Sequence, residues 1–116
     1  MNNDKLIDLE QEMLKTIDVL EKGKDYLADA ISSFENLDET KKAVLAEEYN
    51  KLDKTLSAKD REMLALGSEV YKNHLAMLTS ANAEKIRVKL KYDILMAKLD
   101  VLRSIYSGEK SRNYIQ

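Results

Sequence analysis

In 116 residues this chain has no proline and only three glycines, Gly23, Gly67 and Gly108. A β-sandwich or barrel needs a turn roughly every ten residues, and Gly, Pro and Asn-Gly pairs build such turns. With that chemistry missing, sheet folds are excluded and helices remain. The composition agrees, being 34% charged and 44% hydrophobic with one Phe and no Trp. Ala, Leu, Lys and Glu dominate over the β-branched and aromatic residues that fill sheets. The expected fold is all-α: an elongated antiparallel helical bundle, coiled-coil-like, of three or four helices.

Apolar periodicity sets the expected helix bounds. Leu6, Leu9, Met13, Leu20, Leu27 and Phe34 recur at helical spacing, with Ile17, Val19, Tyr26 and Ile31 widening the face. Asn36-Leu37-Asp38 reads as the clearest break, because Asp38 is an N-cap type and Glu39 suits a first turn. Beyond it Leu45, Tyr49, Leu52, Leu56, Met63, Leu66, Val70 and Met77 fit one heptad register. Ser57 to Asp60 has capping-box spacing, and Thr79 to Asn82 reads as a short turn. Helices are therefore expected near 4–34, 39–55, 58–78 and 81–107, with one continuous helix over 39–78 as the alternative. Residues 1–107 form one helical domain in this reading. Ser107-Gly108 supplies a C-cap, leaving 108–116 as a short flexible basic tail.

The stretch Lys85 to Tyr92, KIRVKLKY, alternates charged and apolar residues as a strand does. The residues beyond it identify a helix instead. Val88, Tyr92, Leu95, Leu99, Leu102 and Tyr106 form one stripe at about 100° per residue. Ile86, Leu90, Ile94, Ala97, Val101 and Ile105 form a second, nearly opposite. A surface helix ordinarily has one apolar face, so the second stripe is expected to be a partner or oligomer interface. Of the two polar strips between them, one is mixed (Lys85, Lys89, Asp93, Asp100, Arg103) and the other purely basic (Arg87, Lys91, Lys98).

Charge is divided unevenly. Residues 1–60 hold 15 acids against 9 bases, and residues 61–116 hold 6 against 10. The basic end can dock an anionic partner or complement the chain's own acidic half. Arg87, Lys91 and Lys98, continued by Lys110, Arg112 and Tyr114, are the residues that could follow a single-stranded nucleic acid, with Tyr114 free to stack on a base. Tyr26, Tyr49, Tyr71, Tyr92 and Tyr106 lie on the apolar periodicity and are expected as packed rings.

Catalytic and cofactor motifs are missing. His74 is the sole histidine and position 71 is Tyr, so the Glu-x-x-His motif of di-iron bundles fails. Without cysteine there is no disulfide or thiol chemistry, and no glycine-rich phosphate loop occurs. No apolar run approaches the roughly 20 residues of a membrane span, and the acidic N-terminus lacks a signal-peptide core. A non-enzymatic cytoplasmic protein without cofactor or membrane association is expected.

The final third, SANAEKIRVKLKYDILMAKLDVLRSIYSGEKS, resembles the closing helix of small helical proteins that bacteriophages encode in early or recombination gene clusters. The likeness rests on Leu102-Arg103-Ser104 before the stop at Ser107 to Lys110. It implies an accessory protein that assists a single-strand-annealing recombinase, or one that binds a host factor, and it carries no catalytic residue across; inhibition of a host protein is a separate alternative. Residues and resemblance together lead to one expectation, a self-associating adaptor acting through protein contacts. Single-stranded nucleic-acid binding is the alternative.

Overall fold

The computed structural model describes residues 2–115, with side chains described over 3–113. It contains three helices, α1 (Asn2–Asn50), α2 (Ala58–Leu66) and α3 (Glu69–Ile115), and no strand among the described residues. The chain is all-α, as its lack of turn formers requires. Its contacts divide it into two units, one of Met1–Ala28 with Arg87–Gln116 and the other of Asp29–Ile86.

The first unit is a pair of helices. On α1 the residues withdrawn from solvent are Leu6, Leu9, Glu12, Met13, Thr16, Leu20, Gly23 and Leu27. On α3 they are Val88, Tyr92, Leu95, Leu99, Leu102, Tyr106, Glu109 and Asn113. Glu12 apart, both series step by three and four in alternation, the seam spacing of a coiled coil. The helices run antiparallel, because Lys5, Glu10 and Glu12 meet Glu109, Tyr106 and Lys98 in turn. Leu20 and Leu99 are the most deeply buried large side chains of the pair, each contributing about 1.5–3 kcal/mol. Of the polar seam members, Thr16 and Glu109 are satisfied, whereas the buried side-chain amide of Asn113 has no hydrogen-bond partner among the described residues. The Thr16 hydroxyl donates to the Glu12 carbonyl at 2.9 Å, and the buried Glu109 carboxylate pairs with Lys5 at 3.0 Å and Arg112 at 3.1 Å.

Gly23 occupies a seam position yet leaves a groove of about 130 Å³ between Val19, Tyr26, Val88, Lys91, Tyr92 and Leu95. Tyr26 stands at its rim, 58% exposed, so it is not the packed ring its periodicity suggests. Tyr92 and Tyr106 are half-buried.

In the second unit the same alternation runs through Ala30, Phe34, Leu37, Lys41, Val44 and Glu48 on α1, and Tyr71, His74, Leu78, Ala81 and Lys85 on α3. His74 Nε2 lies 2.7 Å from the Leu37 carbonyl oxygen. A carbonyl only accepts, so this nitrogen carries the proton. The Lys85 ammonium sits 3.7 Å over the Phe34 ring, a cation–π contact. The α2 helix widens this core. Its Arg61 guanidinium stacks 4.2 Å over the Tyr49 ring, and Leu45, Tyr49 and Ala65 line a groove of about 360 Å³.

Three expected stops are absent, each overridden by the seam. The chain stays helical through Asn36-Leu37-Asp38, where Leu37 is half-buried and Thr40 Oγ1 bonds the Asn36 carbonyl at 2.8 Å. It continues through 79–82, with Ala81 in the seam and Thr79 Oγ1 bonded to the Leu75 carbonyl. It passes Gly108 to Ile115 because Glu109 is the next seam residue, so the expected basic tail is helical through 108–115. Against the drive to bury a seam, one glycine costs only about 1 kcal/mol.

The break near residue 55 does occur. Asp53 Oδ1 accepts from the Thr55 N–H, and Ser57 caps α2 by accepting from the Asp60 N–H at 3.1 Å. A further break, at Gly67-Ser68, departs from the expected bounds. There Gly67 ends α2, and Ser68 Oγ caps α3 by accepting from the Tyr71 N–H at 3.2 Å. These two turns reset the register. Leu56, Met63, Leu66, Val70 and Met77 are accordingly exposed rather than continuing a heptad core.

Two stability changes are expected from this packing. A Cβ at Gly23 would meet nothing within 4 Å, so Gly23→Ala should gain about 1 kcal/mol from helix propensity. Ser57→Ala should lose about 1 kcal/mol with its cap. Urea unfolding of both variants against the parent reads both signs.

Candidate protein interface on the third helix

The two apolar stripes of α3 have opposite fates. Val88, Tyr92, Leu95, Leu99, Leu102 and Tyr106 face α1, and Leu99 is 3% exposed. Leu90, Ile94, Ala97, Val101 and Ile105 face solvent, with Ile94 at 67% and Val101 at 58%. Ile86, the last residue of the second unit, is likewise exposed. The cause is geometric. The first unit contains only two helices, so each has one neighbour, and an apolar stripe on the side away from that neighbour has nothing in the unit to cover it.

The basic residues do not stand together as a free strip. Lys98 Nζ donates to Glu12 Oε1 at 2.8 Å, and Arg112 pairs with Glu109. Arg87 is exposed and already interacts within the chain. Lys91 is exposed at the rim of the Gly23 groove, and Lys110 is exposed on the last turns of α3. The Tyr114 side chain lies outside the described residues. The acidic and basic halves thus neutralise one another in part: Lys98 holds Glu12 below the usual carboxylate range, first by its hydrogen bond and then by its charge. Donating to Glu10 at 2.7 Å raises the Tyr106 phenol.

His74 is a helix-interface residue that spends its Nε2 proton on a backbone carbonyl. No group of three His, Cys, Asp or Glu side chains able to hold a metal occurs among the described residues. No described helix is long and apolar enough to cross a membrane. A second apolar surface, formed by Met63, Leu64 and Leu66 of α2, escapes a reading of the sequence by heptads alone. Its signal is nonetheless present: nine residues with Ala, Met, Leu, Ala, Leu spread around the wheel cannot all face inward.

Comparison of this chain with protein-family models, with curated proteins and with solved structures returns no match.

The Lys98–Glu12 pair gives a pH signature. A carboxyl whose folded pKa is depressed contributes stability above its unfolded pKa, and loses it as pH falls through the folded value. Lys98→Met should return Glu12 towards the ordinary range and remove that acid-side contribution. A carbon-detected NMR titration of the Glu12 carboxyl in both proteins measures the shift.

Proposed function

We propose that this protein acts by binding protein rather than by chemistry, as a self-associating helical adaptor whose contact face is the outer stripe of α3. The observation that supports this is the exposure of Leu90, Ile94, Val101 and Ile105 along one side of one helix. Scattered exposed apolar residues are ordinary, whereas a contiguous row of them marks an interaction site.

Magnitudes allow a second copy as the occupant. Pairing two chains through these residues brings together eight large aliphatic side chains. Each is worth about 1.5–3 kcal/mol when fully buried. At half burial the set contributes about 6–12 kcal/mol, against the roughly 4–15 kcal/mol that association costs in lost freedom. Neutralisation of Lys98 and Arg112 by acids of the same chain ranks nucleic-acid binding below this reading. An accessory role of the kind implied by the phage-like final third needs only such a binding face.

Light scattering on the eluting protein tests the proposal. The parent should run at a multiple of its 13.3 kDa chain mass. Ile94→Asp or Val101→Asp should fall to the single-chain mass with helical circular dichroism retained, since neither side chain belongs to the seam. A parent that elutes as a single chain, or an aspartate variant that keeps the parent's mass, would overturn it.

A further inference from the structure

We infer that a second copy of this chain docks antiparallel on the outer stripe of α3, about a two-fold axis passing between Leu95 and Met96; this rests on the self-association proposed above. The argument begins with spacing. Ile86, Leu90, Ile94, Ala97, Val101 and Ile105 are separated by four, four, three, four and four residues, a series that reads the same in both directions. A two-fold axis across an antiparallel pair sets each residue opposite the one equally far beyond the axis. Leu90 then meets the copy's Val101, and Ile94 meets the copy's Ala97. Each of these four side chains finds an apolar counterpart.

Size selects the same arrangement. Opposite Ile94 the copy offers its smallest stripe residue, Ala97, so the helices can approach closely at the axis. In a parallel pair like faces like. Ala97 would then face Ala97 and leave a gap, while Ile94 would crowd Ile94, and interiors tolerate neither fault well.

Charge on the flanks is compatible with this geometry. In an antiparallel pair the same flank of both copies lies side by side. One flank carries Lys89, Asp93, Asp100 and Arg103, which balance. It brings Lys89 between the copy's Arg103 and Asp100, about 1.5 and 3 Å away along the axis, and Asp93 about 3 Å from the copy's Asp100, so attraction and repulsion on this flank offset. The other flank is basic, but its Lys98 is already paired with Glu12. Lys91 arrives beside the copy's Glu12–Lys98 pair, where the carboxylate supplies a counter-charge.

The chain has no cysteine, so introduced thiols can report direction without background. Leu90→Cys and Val101→Cys chains are prepared separately and together, mixed under reducing conditions and then oxidised mildly. Antiparallel pairing sets position 90 opposite the copy's 101 but about 16 Å along the axis from the copy's own 90, beyond disulfide reach. The expected result is a mixed disulfide between the two variants and no dimer from either alone. Cross-linking of Leu90→Cys chains to one another would show parallel pairing and overturn the inference. If the reduced variants keep a two-chain mass yet no combination cross-links, self-association stands and this geometry falls. If the parent is a single chain by light scattering, both fall.

Discussion

Side chains spaced alternately by three and four residues along α1 and α3 set everything else in this protein. Each helix places one narrow stripe against the other, and burial of residues such as Leu20 and Leu99 supplies stability that two isolated helices of this composition would lack. Apolar stripes alone would tolerate sliding by a heptad. The polar residues in the seam do not. Glu109 is buried and takes Lys5 across the seam as well as Arg112 on its own helix, and His74 needs the Leu37 carbonyl. Shifting the alignment would cost Glu109 one of its two partners and would strand the buried His74 N–H, at about 1–3 kcal/mol. The apolar residues hold the helices together, and the polar ones fix which residue meets which.

The seam also explains why weak stop signals fail and where strong ones succeed. Asn36-Leu37-Asp38, Thr79 to Asn82 and Gly108 each carry local chemistry that favours a helix end, yet each lies where the next seam residue arrives on schedule. Residues 51–57 and Gly67-Ser68 lie at the turn between the two long helices, where no seam residue is waiting. There the same types of residue, Asp53, Ser57 and Ser68, do become turns and caps. A cap worth about 1 kcal/mol decides a boundary only when packing is indifferent to it.

The same contrast measures how far the sequence can be read. The scarcity of proline and glycine together is sufficient for fold class, and the spacing of Val88 to Tyr106 is sufficient for one face of α3. The existence of a second stripe is legible too. Which stripe turns inward is not, because that depends on the partner positions of α1, some 80 residues away in sequence for Leu20 and Leu99. The basic strip is only partly legible for the same reason. Arg87, Lys91 and Lys98 share a flank by periodicity, but the pairing of Lys98 with Glu12 is a long-range contact that no local pattern announces. The Gly67-Ser68 boundary is legible in principle, since Gly-Ser-Glu marks a helix end and a helix start. An apolar heptad running through Met63, Leu66 and Val70 masks it.

Ion pairs add little to the fold itself. Lys22–Asp18, Lys24–Glu21 and Arg103–Asp100 are exposed pairs, each within a single helix, a class that adds little because solvent screens the charges. Stability therefore resides in the seam, and the outer stripe of α3 takes no part in it. That separation has a physical meaning. An apolar row that does nothing for its own helix pair carries a solvation penalty in the single chain, and the penalty is relieved only by another surface. It also means that, in the proposed assembly, substitutions at Ile94 or Val101 would act on association without passing through the seam, so loss of assembly in a chain that remains helical could be assigned to the face and not to the scaffold.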